Sequence, residues 1–71
     1  MSDIRIRFGK RLKSLRLSMG MVQEEFAEVI GISVDFLSLI ERGKNSPSFG
    51  NLERIAKALS ISVKELFNFE E

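Results

Sequence analysis

The most constraining feature of this 71-residue chain is the stretch QEEFAEVIGISVDFLSLIER, residues 23–42. It places Ala27 four residues before Gly31, and Leu37 and Ile40 six and nine residues after that glycine. Two short helices that cross steeply through a tight turn need a turn residue that tolerates positive φ, a small side chain where the helices touch, and apolar anchors on the second helix. The spacing therefore predicts a helix-turn-helix at about residues 23–42. An ordinary amphipathic helical hairpin is the alternative.

Apolar periodicity and capping residues predict three further helices around this stretch. The five predicted helices run from Ser2 or Asp3 to about Ser18, from Gln23 to Ile30, from Val34 to Arg42, from a cap at Ser48 to Leu59, and from Ser62 through Phe67. Their inward positions include Ile4, Phe8, Leu12, Leu15 and Met19 in the first helix, and Phe49, Leu52, Ile55, Ala56 and Leu59 in the fourth. The fold class is predicted to be all-α, a compact five-helix bundle that forms a single domain over residues 1–71.

Two positions depart from the usual helix rules. Val22 stands where Ser or Thr would normally accept a hydrogen bond from the first-turn amides, a loss of about 1 kcal/mol. Gly9, inside the first helix, costs about 1 kcal/mol relative to Ala. Gly9 is interpreted either as a site of close helix packing or as a tolerated surface glycine.

Composition excludes several classes of protein. The chain has no Cys and no His, so it lacks disulfides, thiolate metal sites and the usual general base of enzymes. We therefore expect no enzymatic activity, cofactor, metal or small-molecule ligand. No apolar run approaches the roughly 20 residues of a membrane span, and the charged N-terminus is unlike a signal peptide. The expected location is the cytoplasm.

Charge is strongly divided along the chain. Residues 1–20 hold six basic residues against one acid, residues 21–41 hold five acids and no base, and residues 42–71 hold five bases against four acids. A near-neutral chain of this kind can still present a basic face to a nucleic acid. The bases of the first helix are expected to be solubilising, with contact between DNA and Lys10, Arg11 or Lys13 as the alternative.

Several motifs resemble one family of regulators in register. They are Leu15-Arg16 before Gly20, Gln-Glu-Glu-x-Ala at 23–27, Gly31, Ile-Glu-Arg-Gly-Lys at 40–44, Pro47-Ser48, and Leu-x-x-Ile-Ala-x-Ala-Leu at 52–59. Over about residues 8 to 67 the chain closely resembles the Cro/CI-type, XRE-like helix-turn-helix regulators of bacteria and phages. The resemblance implies a lambda-repressor-like DNA-binding bundle.

The resemblance also implies a role for individual residues. In this family the second helix of the motif enters the major groove of double-stranded DNA, a preceding glutamine lies against a phosphate, and the following loop contacts the backbone. The matching residues are Gln23, Ser33, Val34, Asp35, Phe36, Ser38, Leu39, Arg42, Lys44, Asn45 and Ser46. Arg16 and Glu41 match a pair that forms a partly buried ion pair between the first and third helices.

The outward positions also depart from the family pattern. Val34 and Leu39 stand where many relatives carry Gln, Arg or Lys, and Asp35 would face a polyanion. Aliphatic side chains can pack on thymine methyl groups, Asp can accept from cytosine N4, and Ser can bond to several bases. The alternative is that this surface contacts protein. Phe36 is expected to be half exposed at its edge.

The C-terminal apolar cluster allows two interpretations. Its residues are Ile61, Val63, Leu66, Phe67 and Phe69. They either close the bundle over the first and fourth helices or form a homodimer interface, and we expect the homodimer. Because the sequence ends at Glu71, soon after the fifth helix, we expect no sensor or catalytic domain and expect control by protein concentration. The predicted function is a sequence-specific transcriptional regulator that binds operator DNA as a homodimer; the alternative is a protein-interaction module.

Overall fold

A computed structural model of the chain describes residues 3–69. This range folds into α1 (Ile4–Ser18), α2 (Gln23–Ile30), α3 (Val34–Glu41), α4 (Phe49–Leu59) and α5 (Val63–Leu66), with no strand among the described residues. The prediction of an all-α five-helix bundle is confirmed. Two helices end one residue earlier than predicted: α3 ends at Glu41, before Arg42, and α5 ends at Leu66, before Phe67. Ser2, the alternative first cap, lies outside the described residues.

Side-chain oxygen atoms cap every described helix except α2. Asp3 Oδ1 accepts from the backbone N–H of Arg5 at 2.9 Å. Serine hydroxyl groups accept at 3.0–3.2 Å from the amide three residues further on at Ser33, Ser48 and Ser62. At α2, Val22 has no side-chain acceptor, and the Glu25 carboxylate instead accepts from the Val22 N–H at 3.1 Å. The missing cap is thus partly replaced from inside the helix.

All five helices contribute to one apolar core. Its buried members are Phe8, Leu12, Phe26, Ala27, Ile30, Leu37, Ile40, Leu52, Ile55, Ala56, Leu59 and Leu66. α3 packs on both α1 and α2, α4 packs on α2, and α5 closes against α1 and α4. None of the described helices is both long and apolar enough to cross a bilayer. The core therefore holds α3 from its inner side.

Three residues predicted to face inward are exposed. Phe49 is 87% exposed, Ile4 is 56% exposed and Met19 is 47% exposed. Phe49 and Ile4 are the first residues of their helices, and helical side chains lean back toward the N-terminus. Their side chains therefore extend past the end of the core, and Met19 follows the last residue of α1. The prediction that these three residues face inward is therefore wrong, because the core does not reach the ends of the helices.

Gly9 is a site of close helix packing. A Cβ atom at this position would lie 2.7 Å from the carbonyl oxygen of Glu41, and closer still to that of Ile40. Such distances are shorter than real side chains tolerate, so the backbones of α1 and α3 meet at this glycine. The interpretation of Gly9 as a surface glycine is wrong.

The C-terminal cluster is largely used within the chain. Leu66 is fully buried in the core, so it is not available to a partner and its assignment to a dimer interface is wrong. The Phe67 ring lies 5.1 Å from that of Phe8 and 6.0 Å from that of Phe69, measured between ring centroids. The guanidinium of Arg7 lies 4.7 Å from the centre of the Phe69 ring. These contacts close the bundle over α1.

Candidate nucleic-acid interface

A left-handed glycine forms the turn between α2 and α3. Gly31 has φ +76°, a conformation that costs glycine little and other residues more. Its N–H donates to the Glu28 carbonyl at 3.2 Å, and the Ile32 N–H donates to the Ala27 carbonyl at 3.0 Å. These bonds satisfy the end of α2, and α3 begins three residues after the glycine. Ala27 is buried, as a small contact residue should be.

The outer side of α3 carries the row of side chains predicted for base contact. Ser33, Val34 and Asp35 are exposed, and Ser38 and Leu39 are half-buried. On the opposite side of the helix, the core anchors of α3 are fully buried. We call the outward set the α3 row: Ser33, Val34, Asp35, Ser38 and Leu39. Phe36 lies at its edge, partly buried against the core.

The loop after α3 continues this surface with cations and amides. Arg42, Lys44, Asn45 and Ser46 are all exposed. The Lys44 N–H donates to the Leu39 carbonyl at 2.9 Å, which holds the loop against the end of α3. The Asn45 side-chain oxygen accepts from the Ser46 N–H at 2.9 Å. The loop therefore places two positive charges directly beside the α3 row.

Arg16 and Glu41 form an ion pair below this surface. Arg16 Nε and Nη2 donate to the two Glu41 carboxylate oxygens at 2.7 and 3.0 Å, and their side chains are only 7% and 2% exposed. Arg16 Nη1 also donates to the Met21 carbonyl at 2.7 Å. The hydrogen bonds to Glu41 raise the pKa of Arg16 despite its burial, so the guanidinium remains charged.

Gln23 joins the same group. Its Nε2 donates to Glu41 Oε1 at 3.0 Å, the oxygen that also accepts from Arg16 Nη2. Gln23 is the first residue of α2 and is partly buried. The family motifs imply separate roles for Gln23 and for the Arg16–Glu41 pair. In the structure, hydrogen bonds connect all three side chains. This contact was missed from the sequence, where 18 positions separate Gln23 from Glu41.

Most arginines of α1 are held within the chain. Arg11 donates to the Glu65 carbonyl at 3.0 and 3.2 Å, and its guanidinium lies 3.8 Å from the Glu65 carboxylate. Arg5 pairs with Asp3 at 2.8 Å. Arg11 therefore ties α1 to α5, which argues against its suggested contact with DNA. Arg5, Lys10 and Lys13 are exposed, and of these Lys10 and Lys13 were predicted as alternative DNA contacts.

Arg54 is a structural residue that the sequence reasoning missed. Its Nε donates to the Ile30 carbonyl at 3.1 Å, and its Nη2 donates to the Asn51 side chain. It thus satisfies an end carbonyl of α2 from α4. The Asn-x-x-Arg spacing in α4 is a usable signal for such a pair, although it does not identify the carbonyl that completes the contact.

Two helices joined by a tight glycine turn, with the second helix exposed along one side, define a helix-turn-helix protein. The helix-turn-helix family model HTH_3 matches residues 12–66. The chain is 45% identical over 69 residues to the control protein C.MunI of Mycoplasma sp, which covers 96% of this chain and 93% of that protein. It is also 38% identical over 69 residues to the control protein C.BamHI of Bacillus amyloliquefaciens, an alignment that covers 96% of this chain and 85% of that protein.

A solved structure of a related protein supports the same family assignment. The restriction-modification controller protein C.AhdI from Aeromonas hydrophila matches with a TM-score of 0.83 and 35% sequence identity, covering 87% of this chain and 94% of that one. The chain therefore belongs to the HTH_3 family of helix-turn-helix transcriptional regulators, as its Cro/CI-type motifs predict. Its relatives are named as control proteins and transcriptional regulators, not as enzymes.

Proposed function

We propose that this protein binds operator DNA sequence-specifically as a homodimer, with α3 in the major groove. One observation carries the proposal: α3 is anchored by buried residues on one side and presents the α3 row on the other, beside the cationic loop. This arrangement suits a helix that reads base edges while the loop neutralises phosphates. The similarity to C.AhdI favours a role as the controller of a restriction-modification system.

Phosphate contact is assigned to the loop and to Gln23. Arg42 and Lys44 would neutralise phosphates, and Asn45 and Ser46 would donate hydrogen bonds without reading sequence. Each lost contact between a cation and a phosphate reduces the magnitude of the negative slope of log K against log salt concentration by about 1. Arg42→Ala and Lys44→Ala should therefore weaken binding on every duplex and flatten the salt dependence. Lys57→Ala removes an exposed cation of α4 and serves as the matched control.

Sequence discrimination is assigned to the α3 row. Val34 and Leu39 would pack on thymine methyl groups, and Asp35 would accept from cytosine N4. A lost base contact typically costs about 1–3 kcal/mol of discrimination. Leu39→Ala should therefore relax the preference at one or two base positions while leaving the salt slope unchanged.

Selection from a random duplex pool, followed by salt titration of the selected sequences, tests the proposal. The expected result is an enriched motif whose affinity falls steeply with salt. Failure to enrich any motif at low salt would refute DNA reading.

The second candidate is a protein-interaction module. It is favoured by the composition of the outer face, where Val34, Phe36 and Leu39 are apolar and Asp35 is acidic. It predicts little salt-dependent binding to DNA, no preferred duplex, and a partner protein bound on the apolar surface of Val34, Phe36 and Leu39. The same selection therefore separates the two functions.

The homodimer is assigned to the part of the C-terminal cluster that the core leaves accessible. Val63 is 40% exposed and Phe67 is 37% exposed, and Ile61 and Phe69 are partly buried beside them. A twofold dimer would place two copies of α3 about 34 Å apart, on half-sites one DNA turn apart. Each protomer would then bind its half-site with moderate affinity, and tight binding to the operator would require both protomers of the dimer.

Light scattering across protein concentration tests the dimer. Val63→Glu should shift the protein toward the 8.1 kDa monomer. Val29→Glu changes an equally apolar, exposed residue of α2 and should leave the dimer intact. A wild-type protein that remains an 8.1 kDa species at every concentration would refute this part of the proposal.

A further inference from the structure

We infer that the buried Arg16–Glu41 pair positions the Gln23 amide for a DNA phosphate, so that the scaffold and the DNA-facing surface are coupled. The inference rests on the proposed DNA-binding function and assigns a positioning role within it. Its basis is the shared oxygen: Glu41 Oε1 accepts at 3.0 Å from Arg16 Nη2 and at 3.0 Å from Gln23 Nε2.

The hydrogen-bonding capacity of Gln23 determines which atom can meet DNA. A glutamine amide has two N–H donors on Nε2 and one acceptor oxygen. One N–H is committed to Glu41 at 3.0 Å. A phosphate offers only acceptors, so the second N–H of the same nitrogen is the donor left for it. The contact with Glu41 therefore fixes the position from which the Gln23 amide can donate to a phosphate of the DNA backbone.

Arg16 has a separate task in this arrangement. An unpaired Glu41 carboxylate would repel a nearby phosphate. The Glu41 side chain is only 2% exposed, so water would screen its charge little. The bidentate contact with Arg16 at 2.7 and 3.0 Å cancels that charge. Glu41 can therefore orient a phosphate donor without adding a negative charge to the DNA-facing surface.

Pre-organisation sets the size of the effect. Immobilising a flexible side chain on binding typically weakens affinity about twofold to tenfold, and a side chain already held in place avoids that loss. A hydrogen bond to a charged group contributes about tenfold or more. Gln23→Ala should therefore weaken DNA binding about tenfold per half-site, whereas loss of the anchor alone should weaken it about twofold to tenfold.

The test is a thermodynamic cycle on the selected duplex. Replacing a buried ion pair by apolar residues of similar size often preserves folding, so Arg16→Met with Glu41→Leu removes the anchor. We expect Gln23→Ala to weaken binding about tenfold in the wild-type background but only about twofold in the apolar-pair background. Equal factors in the two backgrounds would overturn the inference, because a purely structural role of the pair leaves the contribution of Gln23 unchanged.

A measurement on the free wild-type protein keeps the inference testable if the apolar-pair variant does not fold. Gln23 is the only glutamine of the chain, so its side-chain amide can be assigned without ambiguity. Its ¹⁵N order parameter should approach the rigid value of about 0.85, while the exposed Asn45 amide should show a lower value. A Gln23 value below about 0.6 would overturn the inference.

Different results would refute the DNA-binding function and the positioning role of the Arg16–Glu41 pair. If wild-type protein enriches no duplex, the DNA-binding function fails and the inference fails with it. If wild-type protein binds its duplex but Gln23→Ala has the same effect in both backgrounds, or the Gln23 amide is mobile, only the positioning role fails.

Discussion

Replacing Gly9 by Ala should destabilise the protein, although the same change stabilises most helices. In a helix interior, Ala is favoured over Gly by about 1 kcal/mol. At Gly9 the added Cβ would lie 2.7 Å from the Glu41 carbonyl oxygen, where ordinary contacts begin at 3.4 Å. The obstacle is backbone of α3, which cannot move without displacing the helix. Overpacking typically costs about 1–3 kcal/mol, and the upper end applies here because rigid backbone must shift.

The net expected loss is about 2 kcal/mol, from a cost of about 3 kcal/mol offset by the helix propensity of Ala. For a domain of this size, 1 kcal/mol shifts Tm by about 4–8 °C, so Gly9→Ala should lower Tm by about 8–16 °C. Gly50→Ala is the matched control, because its Cβ would meet only Ser48 Oγ at an ordinary 3.8 Å. Urea and thermal unfolding of both variants provide the measurement. A Gly9→Ala protein as stable as wild type would refute the close approach of α1 and α3.

Three further changes test neighbouring conclusions by denaturant unfolding. Phe49→Ser should alter the free energy of unfolding by less than about 0.5 kcal/mol, as expected at an exposed position; a loss above about 2 kcal/mol, as for a core phenylalanine, would contradict its exposure. Ser48→Ala should cost about 1 kcal/mol by removing the cap of α4, and an unchanged midpoint would show that the cap is dispensable. Arg16→Met alone should cost about 3–5 kcal/mol because it leaves Glu41 buried without a partner. Adding Glu41→Leu should recover most of that loss, and failure to recover it would mean that the pair contributes more than charge compensation.

Local chemistry explains why the helices could be predicted. Capping serines and glycines at helix ends act within three or four residues of themselves, so Ser33, Ser48 and Gly31 mark boundaries that hold in the structure. The 3.6-residue period likewise identifies the buried sides of α2 and α3. At helix ends the period becomes unreliable, because burial there depends on what neighbouring elements cover. Phe49 shows this limit.

The sequence by itself determined the helix-turn-helix, which follows from residue spacing along 20 consecutive positions, and its outward row, which the family motifs imply. Only the tertiary structure decided how distant residues share contacts. It added Gln23 to the Arg16–Glu41 pair that the family motifs imply, 18 positions from Glu41, and it bound Arg11 to α5 across 54 positions. The physical reason is that a side chain's charge and reach are local properties, whereas its partner depends on how the helices pack.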